Sequence, residues 1–159
     1  MIDFLGIQFP VIYIHLGTLL LTAVSILIAD KFALAWVSGK KQMLSQKRMR
    51  ILHLLVGAGL TVMIASGAYM AWPLREYLLG EPAFWTKMLF VTVLVVNSFF
   101  IGRAAKLSTT RPFAELTKGE KSTLLISGGV STIGWLGAFT AALYMTTSNW
   151  ILSFLTALF

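Results

Sequence analysis

Four long apolar segments, separated by short polar connections, dominate the hydrophobic pattern of the chain. Their approximate bounds are residues 10–37, 51–72, 84–103 and 123–147. An α-helix needs about 20 apolar residues to cross a bilayer, so each segment is long enough to do so. Because a helix satisfies its own backbone hydrogen bonds in lipid, the pattern predicts an all-α integral membrane protein, a four-helix bundle formed by one domain over residues 1–159.

The two ends of the chain differ from these spans. Residues 150–159 are apolar at helical spacing but too few to cross a bilayer, so they predict a short C-terminal helix lying in the membrane interface. Residues 1–10 contain Asp3 and no basic residue, and no small-residue cleavage motif follows them. We therefore do not expect a removable signal peptide.

The composition strengthens the prediction of a membrane protein. Hydrophobic residues make up 57% of the chain and charged residues only 12%, about half of the ~25% that is typical of soluble domains. Cysteine is absent, which excludes disulfides, thiolate metal sites and cysteine nucleophiles. The spans lack paired carboxylates and the chain has no glycine-rich phosphate loop, so nothing indicates a hydrolase.

The net charge of +7 comes mainly from basic residues in the connections between the spans. The first and third connections hold five each: Lys40, Lys41, Lys47, Arg48 and Arg50, and Arg103, Lys106, Arg111, Lys118 and Lys121. The second connection and its edges hold only Arg75 and Lys87. By the positive-inside rule, we expect the first and third connections in the cytoplasm and both termini on the outer side of the inner (cytoplasmic) membrane. The charges are interpreted as headgroup contacts, so the expected partner is the lipid bilayer and not nucleic acid.

Small side chains crowd the fourth span, where they allow two helix backbones to approach closely. These residues are Ser127, Gly128, Gly129, Ser131, Thr132, Gly134, Gly137 and Ala141. They fit either a packing face inside the bundle or the interface of a homodimer. A homodimer is the assembly that we expect.

Polar groups inside a span are costly, and they are therefore the first candidates for a functional site. On the first span, His15, Thr18 and Thr22 form one polar stripe, which must face protein, cofactor or water. His15 lies about 8 Å inside the outer boundary at Pro10, and Lys87 enters the third span from the same side to a depth of about 6 Å. The two residues are therefore level, and together they could ligate one metal ion.

His53 enters the second span from the cytoplasmic side, some 17 Å from His15 along the membrane normal for a core of ~30 Å. Two ligands of one metal are separated by about twice a ~2 Å bond, so these histidines cannot share a metal within one protomer. His53 could instead meet its own copy across the twofold axis of a dimer. Structural alternatives stay open: a hydrogen bond to a neighbouring helix for His15, snorkelling to the headgroups for Lys87, and an interfacial position for His53.

Three stretches carry a family resemblance: residues 13–17 (YIHLG), 84–89 (FWTKML) and 97–103 (NSFFIGR). They resemble the four-helix membrane proteins around HemJ, the protoporphyrinogen oxidase, and the membrane domain of the CopD copper-resistance family. In that group a histidine opens span one, a Trp…Lys pattern opens span three and a basic residue closes it. The histidine and lysine of the HemJ group are associated with b-type haem, so the resemblance implies His15 and Lys87 as an axial pair. The chain has Thr86 beside the lysine, where that group carries a further histidine, so we interpret it as a distant member.

The first functional hypothesis is a membrane-embedded protein that binds haem b. Its task would be electron transfer or the oxidation of a small lipophilic substrate such as a quinol or a porphyrinogen, and in the second case it would be a haem-dependent oxidoreductase. His15 would ligate the iron together with Lys87 or a histidine, and Thr18 and Thr22 would line the same site. A ligating Lys87 would have to be neutral, which requires shielding from water. His53 marks a second, cytoplasmic-side site.

Two alternative hypotheses belong to other classes of protein. A copper-handling or transport component without haem would place histidine or methionine clusters on the outer side, where the sequence offers only Met70 and Met145. A cofactor-free scaffold or assembly subunit would use its fourth span to bind a partner. The visible spectrum of the purified protein separates the haem hypothesis from both.

Overall fold

The computed structural model describes the backbone of residues 2–158 and the side chains of residues 10–103, 105–145 and 147. Every regular element in this part of the chain is helical, which confirms the predicted all-α class. The helices are α1 (Ile2–Val37), α2 (Gln46–Ala71), the short α3 (Arg75–Leu79), α4 (Pro82–Thr110) and α5 (Lys118–Leu158). Two 3₁₀ turns, Trp72–Leu74 and Phe113–Glu115, precede α3 and α5.

Four helical segments are long and apolar enough to cross a membrane, as the sequence predicted. They are Pro10–Val37, Gln46–Leu79, Pro82–Thr110 and Lys118–Met145, with mean hydropathies of 2.2, 1.9, 1.8 and 1.4. The helices extend past the predicted apolar segments, because polar residues continue a helix beyond the lipid. Thr109, for example, donates its hydroxyl to the Lys106 carbonyl within α4 (2.9 Å). The predicted interfacial helix, residues 150–159, lies outside the residues whose side chains are described.

The outer surface of the helices is strongly apolar. Leu27 on α1 and Phe99 on α4 expose 69% and 74% of their surface, and many other large apolar side chains are similarly exposed. Soluble proteins rarely expose contiguous apolar surface on this scale, whereas lipid provides a matching solvent for it. The buried positions between the helices include six polar residues: Thr22, Ser25, Ser66, Asn97, Ser108 and Ser127.

Local sequence signals set the helix ends. Gly39 has a φ of 73°, a left-handed conformation that favours glycine, in the turn that follows α1. Pro82 opens α4, where its missing N–H leaves no helical bond unmade. Thr117 and Glu120 form a capping box at the start of α5, since the Glu120 N–H donates to Thr117 Oγ1 (3.2 Å) and the Thr117 N–H donates to Glu120 Oε2 (2.9 Å).

The four long helices form two antiparallel hairpins, α1 with α2 and α4 with α5, and α2 packs on α4 to join them. In the second hairpin, large side chains of α4 fill notches at glycines of α5. A Cβ atom added to Gly134 would lie 2.8 Å from Leu94 Cδ2, and one added to Gly137 would lie 2.5 Å from Phe90 Cε2. These small residues of the fourth span therefore form a packing face inside the bundle.

Two other glycines of the fourth span, Gly128 and Gly129, lie beside open space. A Cβ atom added to Gly128 or Gly129 would meet no heavy atom within 4 Å. The second interpretation of the small residues, a homodimer interface, stays a prediction. It now applies to the face of α5 that carries Gly128 and Gly129.

A buried polar pair fixes the register of α4 on α5. Asn97 Nδ2 donates to the Ser127 carbonyl (2.8 Å), and Ser127 Oγ donates to Asn97 Oδ1 (2.8 Å). Both side chains are buried, and each satisfies the other where lipid offers no hydrogen-bond partner. The pair therefore favours one rotational setting of these two helices.

The first and third connections meet at one end of the bundle. The Leu44 N–H donates to the Ser108 carbonyl (2.9 Å). Trp36 Nε1 donates to the Arg111 carbonyl (3.1 Å), and the Trp36 ring packs edge-to-face on Phe113 with ring centroids 5.2 Å apart. The two strongly basic connections are therefore gathered at the same end, as their shared charge predicted.

Candidate functional site

His15 projects from α1 towards α2, where its partner is Ser66. The His15 Nδ1 and Ser66 Oγ atoms are 2.8 Å apart, and Ser66 Oγ also lies 2.7 Å from the Val62 carbonyl oxygen one turn earlier in α2. Ser66 is buried, so water does not compete for these bonds. The structural alternative for His15, a hydrogen bond to a neighbouring helix, is thus present, and it engages one of the two ring nitrogens.

Ser66 engages one of the two ring nitrogens of His15, Nδ1, and does not engage Nε2. When the Ser66 hydroxyl donates its proton to the Val62 carbonyl, it accepts a hydrogen bond from His15 Nδ1. In that arrangement the neutral imidazole carries its hydrogen on Nδ1, and Nε2 keeps a lone pair. Metal-ligating histidines share this arrangement, in which one ring nitrogen donates to the protein and the other binds the metal.

Two further residues surround the imidazole. A Cβ atom added to Gly67 of α2 would lie 3.7 Å from His15 Cε1, an ordinary van der Waals distance, so Gly67 lies beside the ring. Lys87 of α4 is partly buried and lies within electrostatic range of His15. Among the described residues Lys87 has no acidic partner. The salt bridge in this part of the chain joins Arg111 to Glu120. The described contacts of the His15 ring are thus with α2, and the level placement of His15 and Lys87 stays a prediction.

The polar stripe of α1 divides into two parts. Thr22 exposes 1% of its surface, and its hydroxyl donates to the Thr18 carbonyl (2.7 Å). Its side chain fills a notch at Gly59 of α2, where an added Cβ atom would overlap Thr22 Oγ1. Thr22 therefore packs α1 against α2. Thr18 is partly buried between Thr22 and His15, and it is the threonine nearer to the histidine along the helix.

His53 lies in a different part of the bundle. Its side chain is exposed, and a Cβ atom at Gly102 of α4 would lie 3.5 Å from His53 Nε2. Along α2 it precedes Ser66, the partner of His15, by thirteen residues, which is about 20 Å of helix. The structure therefore keeps the two histidines of one protomer apart, as the depth estimate required.

Within the described residues, no three or more histidine, cysteine or carboxylate side chains lie together in a way that could hold a metal ion. A metal site built wholly from such side chains is thus not found in this part of the chain. Haem places a smaller demand on the protein, because the porphyrin supplies the equatorial ligands and the chain adds only the axial ones.

Sequence reasoning missed Ser66 and Gly67 as neighbours of His15. The signal available was a Ser–Gly pair inside an apolar span, which ordinary helix packing would explain equally well.

Fold and site define a class: an all-helical membrane protein with four helices able to span a bilayer and a histidine that is hydrogen-bonded across an interhelical contact. Comparison with family models gives no match, and comparisons with curated proteins and with solved structures give none either. Function is therefore inferred from the geometry around His15 and from the resemblance of the residues themselves.

Proposed function

We propose that the protein binds haem b in the membrane, with His15 as an axial ligand through Nε2. The observation that carries this proposal is the Ser66 hydroxyl, which engages His15 Nδ1 and leaves Nε2 as the ring nitrogen for a ligand. Metal-ligating histidines are oriented by a hydrogen bond of this kind at their other ring nitrogen.

Lys87 is the proposed second ligand. It comes from the other hairpin, is partly buried and has no acidic partner among the described residues that would hold it charged. When bound, the haem would supply one-electron chemistry, for electron transfer or for oxidation of a quinol or porphyrin-like substrate. The tasks of the chain are to orient the His15 ring through Ser66, to hold Lys87 level with it and to exclude water through the apolar faces of the spans.

The proposal includes a membrane orientation and an assembly. The basic first and third connections, which share one end of the bundle, would face the cytoplasm, and both termini would lie outside the inner membrane. A homodimer through the open face at Gly128 and Gly129 would be the assembly, with His53 as the candidate for a second site.

The visible spectrum tests the haem proposal directly. The protein is expressed with haem supplementation, purified in a mild detergent and measured in its oxidised and reduced forms, together with its copper content. We expect a Soret band and a reduced-state α band at about one haem per chain. A colourless protein would overturn the proposal, and a colourless protein with stoichiometric copper would support the copper-handling hypothesis in its place.

The variant Ser66→Ala is expected to weaken haem binding by about 10- to 100-fold, the usual cost of removing the residue that orients a metal-ligating histidine. The cause is that His15 Nδ1 would lose its hydrogen-bond partner on α2, so the ring would lose the contact that orients it. Haem titration of the apoprotein measures the affinity. Ser66→Thr keeps the hydroxyl and serves as the control, with affinity within about threefold of the wild type. Equal haem affinity in Ser66→Ala and the wild type would contradict the role assigned to Ser66.

A further inference from the structure

A shallow groove lies at the end of the bundle where the first connection joins α2. Phe32 and Met49 contribute apolar walls, and the side chains of Lys41 and Arg48 line the same space. The groove is separate from the surroundings of His15, and its interpretation does not depend on the haem proposal.

Both cations of the groove make cation–π contacts with one aromatic ring. Lys41 Nζ lies 4.7 Å from the centroid of the Phe32 ring, and Arg48 Cζ lies 6.0 Å from the same centroid. Attraction to the negative face of the ring favours this arrangement of both side chains. Two like charges therefore contact the same ring and line the same groove.

Among the residues whose side chains are described, no acidic side chain forms an ion pair with these cations. The chain from residue 38 to residue 50 contains no Asp or Glu. Asp30, the nearest acid on α1, makes no ion pair with Lys41 or Arg48, since the ion pair in the described part of the chain lies at the third connection. Two uncompensated like charges repel each other, so an anion bound between them gains from both.

The position of the groove indicates which anion this is. Phe32 and Lys41 flank the end of the membrane-spanning segment Pro10–Val37, so the groove lies at the depth of the lipid headgroups. Val24 and Ile28 precede Phe32 on the same face of α1, at intervals of four residues, and both are exposed. A cationic groove is thus continued by an apolar track of the kind that an acyl chain covers.

We propose that this groove binds the phosphate of an anionic phospholipid between Lys41 and Arg48, with an acyl chain along Val24 and Ile28. A free phosphate ion would use the cations but gain nothing from the apolar track. The lipid uses both, and anionic headgroups attract basic residues at a membrane surface.

The test uses native mass spectrometry of the full-length protein in detergent, titrated with phosphatidylglycerol or phosphatidylcholine. The wild type is expected to bind phosphatidylglycerol at least about tenfold more tightly than phosphatidylcholine. The double variant Lys41→Gln/Arg48→Gln is expected to lose roughly thirtyfold in affinity for phosphatidylglycerol, from the contribution of two basic residues near a headgroup. An unchanged affinity in this variant would overturn the proposal.

Three controls keep the result interpretable. The variant Lys106→Gln/Lys118→Gln removes the same charge at residues that do not line the groove, so it should bind within about threefold of the wild type, and an equal loss there would overturn the proposal. The exchange Lys41→Arg/Arg48→Lys keeps both charges and should retain binding. Inorganic phosphate at millimolar concentration should not displace the lipid, and full displacement would reassign the groove to small anions.

Discussion

The variant His15→Ala is expected to purify without haem and to lose the Soret band of the wild-type protein. Its loss of haem affinity should exceed the roughly 10- to 100-fold cost of disturbing a residue that only orients a ligand. The reason is that alanine removes the one nitrogen that the Ser66 hydroxyl leaves free for iron. The effect is measured by absorbance over roughly 350–650 nm, a range that covers the haem bands. The absorbance is normalised to protein concentration. Far-ultraviolet circular dichroism checks that the helices remain folded.

Two matched variants make this result specific. His53→Ala removes the other histidine of the chain, which is exposed and packs near Gly102, and it should keep the Soret band of the haem held by His15. Lys87→Met removes the proposed second ligand but keeps much of the volume, so the haem should stay bound with shifted bands. If His15→Ala kept the spectrum and His53→Ala lost it, the ligand assignment would move to His53.

The variant Gly137→Val is expected to destabilise the bundle by about 3 kcal/mol, at the upper end of the usual cost of overpacking. A Cβ atom at this position would lie 2.5 Å from Phe90 Cε2 and 2.6 Å from Phe90 Cε1, so either the ring or the whole of α5 must move. Close packing of α4 on α5 is a main source of stability in a bundle without a hydrophobic driving force between its helices. Unfolding in detergent mixtures of increasing sodium dodecyl sulfate content, followed by circular dichroism, gives the free-energy change.

The control for this variant lies on the same helix. Gly128→Val makes the identical chemical change at a position where a Cβ atom meets nothing within 4 Å in the protomer. Measured at a dilution that keeps the protein monomeric, so that the proposed dimer face at Gly128 does not contribute, its stability should stay within about 0.5 kcal/mol of the wild type. Adding Phe90→Ala to Gly137→Val removes the ring that the new side chain strikes, so the double variant should lose less stability than the two single changes predict together. Equal stabilities of Gly137→Val and Gly128→Val would show that the notch at Gly137 does not exist.

The sequence was sufficient to predict the helices and the depth of individual residues along them. Hydropathy and the 1.5 Å rise per residue are local properties of a chain, so four spans, two basic connections at one end and the separation of His15 from His53 could all be predicted without tertiary structure. The same local rules predict His15 and Lys87 at one level. That placement, the haem itself, the membrane orientation and the dimer stay predictions.

Tertiary structure alone decided which face of each helix packs against its neighbours. Gly128 and Gly137 are the same residue type, nine positions apart, and 3.6 residues per turn puts them on opposite faces of α5. Both faces are apolar in a membrane protein, so the pattern does not reveal which one meets α4. For the same reason Ser66 could not be paired with His15, nor Lys41 with Arg48 at Phe32, until packing set the rotation of each helix. Hydropathy thus determined which segments cross the membrane, and side-chain packing between the helices decided which residues meet.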